Sequence, residues 1–245
     1  MAIPPEPDTP EEHAAMNDFR TSLWIPFQTM YEDKWSQEKW ESAVADYRQR
    51  HSPQIVQQLF SKKILPPWEA LESQLRKGPP PFLRPGWTSP LLGKKVNLDW
   101  IDRDEYICIQ GTRDGWRNCK VLVIEFWASW CRPCHRVFDH LSEINETKPE
   151  VKVITFNNEG IFSNIPTDIH ALKYFIARKN NLNYPIFVDE KRIAIDALFR
   201  PGQNLSIPLV FLITPEDGVV HWVGNADAED MGEPLERLLS KLNSQ

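Results

Sequence analysis

The chain has 245 residues, 41% of them hydrophobic, enough to bury a sizeable core in one large domain or one domain plus an appendage. A formal net charge of −6, with no basic run, argues against a nucleic-acid or acidic-membrane surface. Four cysteines are too few for a disulfide scaffold, and no apolar run nears the roughly 18 residues of a membrane span.

Residues 1–10 have neither the basic start nor the apolar stretch of a secretory leader, so the expectation is a soluble, cytoplasmic protein. Of 21 prolines, 13 fall in the first 90 residues, and the segment 3–12 has little to bury, which predicts a disordered tail. Helical segments follow. Ser36 can cap a helix carrying Trp40, Val44 and Tyr47 at helical spacing. Ser52 and Pro53 open a second, with Ile55, Val56, Leu59 and Phe60 on one face. A third spans about 67–77, with Trp68, Leu71 and Leu75 apolar and Gly78 placed to end it. Pro79, Pro80 and Pro81 then predict a stiff connector. Residues 1–85 thus read as a disordered tail plus a Trp- and Pro-rich helical extension. Trp24, Trp35, Trp40 and Trp68 there serve either as core or as a partner-docking surface.

From residue 86 to 245 the pattern is that of an α/β domain. Strands are expected at 96–100 and 106–110, joined by a charged turn. The dense apolar run 121–127 reads as a strand buried on both faces of a mostly parallel sheet. Next come a helix over 131–146, a strand at 151–156, a helix at 168–179, a short strand at 186–188 and a helix near 192–199. Strands at 209–213 and 219–223 flank a turn containing Pro215 and Gly218, and a helix over 228–242 buries Leu235, Leu238 and Leu239.

The chemistry concentrates at Cys131-Arg132-Pro133-Cys134, where the central strand turns into a helix. Unpaired N–H groups and the positive helix end stabilise a thiolate there, with Arg132 as an added cation. Cys134, one turn further in, can attack a mixed disulfide formed at Cys131. A zinc site would need two more ligands. His135 and His140 on the same predicted helix do not supply the usual spaced pair and are expected to be solvated.

The stretch from Phe126 through Trp127, Ala128 and Trp130 to Cys134 resembles the thioredoxin superfamily, whose pattern is Phe-Trp-Ala-x-Trp-Cys-x-Pro-Cys. The added strand and helix between Tyr184 and Phe199 resemble the redoxin or TlpA-like branch; the likeness covers about residues 90–242. It implies a thioredoxin-like fold, a mixed central sheet flanked by helices, and a thiol–disulfide oxidoreductase that reduces protein disulfides. Cys131 would attack and Cys134 resolve. Ile207 and a cis Pro208 would grip the substrate strand, with Trp130, Arg132 and Pro133 beside it. Electrons would come from a donor such as a reductase or glutathione, with no cofactor beyond the dithiol, no metal, and neither nucleic acid nor membrane as partner.

Two positions depart from the family pattern. Arg132 replaces the glycine of thioredoxin itself, and Glu125 replaces a buried aspartate that takes the proton of the second cysteine. Glu125 either reaches beneath Cys134 or is a strand-end carboxylate paired with a lysine. Peroxiredoxins resemble Pro-x-x-x-Thr-x-x-Cys at the reactive cysteine; Ile124 and Ala128 stand at those places here, against a peroxidase. A scaffold role, docking partners through the N-terminal extension, is the competing function. Cys108 and Cys119 are expected to remain separate thiols rather than a pair.

Overall fold

The computed structural model describes residues 11, 14–15, 18, 23, 35–61, 67–76, 88–161, 166–179, 182–202, 206–226 and 230–244. Most of the expected tail, Trp24 and the 79–81 connector lie outside them, as do the side chains of Leu59 and Phe60. The chain divides into two compact units, one formed by residues up to 85 and the other by 86–162 and 166–245.

In the first unit α1 (Gln37–Arg50) begins at Ser36, whose hydroxyl accepts the Lys39 N–H at 3.2 Å, and buries Trp40, Val44 and Tyr47. Helices α2 (Pro53–Ser61) and α3 (Trp68–Arg76) follow it. Ile55, Val56 and Leu71 join the α1 residues in one apolar cluster, so the 3.6-residue spacing read from the sequence marks a real core. The buried Tyr47 hydroxyl donates to the Ala15 carbonyl at 2.7 Å, and burial holds its phenol well above the usual range.

The second unit is built on a six-stranded sheet, β1 (Ile107–Gln110), β2 (Val121–Trp127), β3 (Val151–Asn157), β4 (Ile186–Val188), β5 (Leu209–Thr214) and β6 (Val219–Gly224), in the order β1-β4-β3-β2-β5-β6. The central strands β2, β3 and β4 are parallel; β1, β5 and β6 run antiparallel to their neighbours. Helix α4 (Arg132–Thr147) links β2 to β3, α5 (Ile169–Ala177) lies between β3 and β4, and α6 (Gly232–Asn243) ends the chain. This is a thioredoxin-like fold carrying an extra strand and helical turn. All seven residues of β2 are buried, as an apolar strand covered on both faces must be.

Alternation along β2 assigns the two faces. Phe126 stacks with Phe156 and meets Phe199 and Phe211, while Tyr106 and Trp100 pack on Phe156, forming an aromatic layer on one side. Trp127 points the other way, against Phe138 of α4 and Phe175 of α5. Glu125, two residues earlier, shares that helix-covered side.

The strand expected at 96–100 does not form. Lys95 makes a single bridge to Val219, and residues Asp99–Asp102 turn into a short 3-10 helix. The cause is local: Asn97 Oδ1 accepts the Asp99 N–H at 2.6 Å, turning the backbone away from any ladder. The helix expected at 192–199 contains a π-helical turn, Ile195–Phe199, started by the buried Asp189 carboxylate accepting from Ile193 N–H at 2.7 Å and Ile195 N–H at 3.0 Å.

Candidate active site

The dithiol sits where β2 hands over to α4. Cys131 is the N-cap of α4, its sulfur accepting the Cys134 N–H at 3.2 Å, and Pro133 lies in the first turn, where a missing N–H costs nothing. Both sulfurs are buried and joined as a disulfide, S–S 2.04 Å and Cα–Cα 5.3 Å. When the bond is reduced, the N–H at Cys131 and the positive end of a 16-residue helix favour a thiolate there over one at Cys134. Arg132 is exposed on the first turn.

The Ile207–Pro208 peptide is cis and both residues are buried, immediately before β5, whose Val210 pairs with Glu125. Trp130 is half-buried, and its indole N–H donates to the Glu159 carbonyl at 3.1 Å. His135 is not the solvated residue expected. Its ring packs against Phe138 and Phe175, and Nε2 lies 2.7 Å from the Ser129 carbonyl. Burial lowers its pKa, with the backbone contact opposing and Lys179 and Arg132 assisting. His140 is exposed, as expected.

Glu125 is fully buried, and among the described residues neither carboxylate oxygen has a hydrogen-bond partner, a lysine included. Burial alone pushes its pKa well above the ordinary range. Its register partner on β3 is Thr155, whose hydroxyl accepts the Trp127 indole N–H at 3.2 Å and lies 3.2 Å from the Pro185 carbonyl. Tyr184, 1% exposed, is a second buried group whose hydroxyl lacks a hydrogen-bond partner among the described residues. Burial, then the charges of Glu125 and Asp139, hold it well above the usual phenol range.

Sequence reading missed Glu159. Its carboxylate accepts Ser129 N–H at 2.7 Å, Ser129 Oγ–H at 2.9 Å and Asn157 Nδ2 at 2.8 Å, tying the loop that precedes Cys131 to the end of β3. Asn158 donates to the Asp189 carbonyl at 2.6 Å, extending the tie to the end of β4. The available signal was the run Asn157-Asn158-Glu159 at the carboxyl end of a parallel strand, where α/β sheets gather functional groups. Among the described residues no group of three or more His, Cys, Asp or Glu is arranged to hold a metal ion. Cys108 and Cys119 are separate thiols, the first exposed; burial pushes the second up to about 11.

Residues 111–223, which include the dithiol, β2 to β5 and the cis-proline, match the model of the AhpC/TSA family. This segment is thus similar to that family over a little under half of the chain. Thiol-disulfide oxidoreductase ResA of Bacillus subtilis (strain 168) is 28% identical over 115 residues, which are 46% of this chain and 57% of that protein. Sporulation thiol-disulfide oxidoreductase A of the same strain is 26% identical over 114 residues, 45% of this chain and 64% of that protein. The chain therefore spans less than two thirds of the length of these relatives. A solved thiol-disulfide isomerase from Corynebacterium glutamicum is 22% identical, with a TM-score of 0.44 over 64% of this chain and 97% of that one. The matched stretch begins at Gly111, so the N-terminal unit lies outside it.

Proposed function

We propose that the protein is a thiol–disulfide oxidoreductase that reduces protein disulfides through Cys131 and Cys134. The observation that carries this is the disulfide closed at the N-cap of α4, with the Cys134 N–H on the Cys131 sulfur. The Cys131 thiolate attacks one sulfur of a substrate disulfide; a mixed disulfide forms, and the other substrate sulfur leaves as a thiolate and takes a proton. The Cys134 thiolate then attacks the Cys131 sulfur, closing the internal disulfide and releasing the second substrate thiol. Two electrons pass to the substrate, and a dithiol reductase or two glutathione molecules return them. Glu125, on the α4 side of β2, is suited in its ionised form to take the Cys134 proton because burial raises the carboxylate's affinity for a proton. Ile207 and Pro208 hold the substrate strand, flanked by Trp130, Arg132 and Pro133. The reductive direction fits a cytoplasmic setting.

The test is reduction of insulin disulfides with dithiothreitol as donor, comparing the protein with Cys131→Ser. Catalysis is expected from the wild type and none from the variant. Equal rates with both, or none with either, would refute the proposal.

A further inference from the structure

Glu159 is a carboxylate bonded to the loop that leads into Cys131. Its oxygens hold the backbone N–H and the hydroxyl of Ser129 at 2.7 and 2.9 Å, and Ser129 lies two residues before Cys131. Two residues of chain span at most about 7 Å. The Asn157 amide supplies a third donor at 2.8 Å, and the Glu159 carbonyl receives the Trp130 indole N–H at 3.1 Å. Every residue of the loop between β2 and Cys131 is therefore fixed. Trp127 O accepts from Asn158 N–H at 3.1 Å, Ala128 O accepts from Cys131 N–H at 3.1 Å, and Ser129 and Trp130 are tied to Glu159.

The groups near the Cys131 sulfur differ in sign. Arg132 and the amino end of α4 favour a thiolate. His135 carries little charge at neutral pH because burial lowers its pKa. Glu159, half-buried and so less screened than a surface acid, disfavours one. In a dithiol of this kind, whatever stabilises the thiolate stabilises the reduced form and makes the centre more oxidising.

We infer that Glu159 is a positioning residue of the dithiol centre that both sets the loop carrying Cys131 and biases the Cys131–Cys134 pair toward its disulfide, keeping the centre reducing. The inference rests on the exchange chemistry proposed above.

The experiment equilibrates the full chain with glutathione, where one protein dithiol and one oxidised glutathione give one protein disulfide and two reduced glutathiones. Glu159→Gln keeps the side chain's shape and removes the charge. The ratio of dithiol to disulfide is expected to rise about three- to tenfold, tenfold corresponding to about 30 mV. Glu159→Asp, which keeps the charge while loosening the loop, is expected to stay within twofold of wild type. Ser129→Ala removes a donor that partly neutralises the carboxylate, and its ratio is expected to fall; this variant carries the test if Glu159→Gln fails to fold. A purely structural Glu159 would lower the thermal midpoint in both Glu159 variants and move the ratio in neither, overturning the inference. A rise with Ser129→Ala, or no change in it, would overturn it too. If the wild type does not equilibrate with glutathione at all, the exchange proposal fails with it.

Discussion

Replacing Glu125 by glutamine should make stability less dependent on pH, and the sign follows from burial. The carboxyl is fully buried, has no hydrogen-bond partner among the described residues, and is pushed well above the ordinary glutamate value of 4.5 by burial. In the unfolded chain the proton leaves near the ordinary value; in the folded protein it is retained to higher pH. Stability from this site is therefore fully present below about pH 4.5 and is lost as pH rises through the folded-state value. Between those limits the folded state binds one more proton than the unfolded, so the loss is about 1.4 kcal/mol per pH unit. A window of two pH units is thus worth about 3 kcal/mol. Glutamine is neutral throughout and leaves a buried amide unpaired, a pH-independent cost of about 1–3 kcal/mol. The slope, not the offset, is the signature. Urea denaturation of both oxidised proteins from pH 4 to pH 8 should show the variant gaining on the wild type as pH rises. A constant difference, or a wild type that gains on the variant, would mean that Glu125 is ionised and partnered in the fold, and would refute the reasoning.

Two further outcomes follow from packing and burial. Gly218 sits at φ +71°, and a Cβ there would lie 2.5 Å from the Val96 carbonyl oxygen, so Gly218→Ala should destabilise by about 1–3 kcal/mol in the same denaturation assay. With its thiol near 11, Cys119 is about 0.1% thiolate at pH 8, so iodoacetamide should label the exposed Cys108 first; equal labelling in peptide mass mapping would contradict the burial of Cys119.

How far the sequence could be read varies with how local the determinant is. The strand Val121–Trp127 and the helix beginning after Cys131 were legible because six apolar residues in a run of seven, and a proline set between two cysteines, act over one turn of chain. The segment 96–100 was misread because Val96, Leu98 and Trp100 alternate like a strand, while the deciding contact is one Asn97 side chain bonding the Asp99 N–H. His135 looked like a solvated helix residue, but its position on α4 turns it toward Phe175 of α5, a neighbour that helical spacing cannot name.

The amino-acid sequence by itself determined the α/β order, the closely spaced pair Cys131 and Cys134, and the proline that precedes β5. Each depends on residues adjacent in the chain or within one turn of it. Only the tertiary structure decided the surroundings of the pair: Glu125 left without a hydrogen-bond partner among the described residues, Tyr184 buried near it, and Glu159 clamped onto Ser129 from the end of β3. Periodicity tells which face a side chain occupies, but not which distant strand or helix closes over that face. Burial, the length of each hydrogen bond and the direction of each pKa shift are set by that closure.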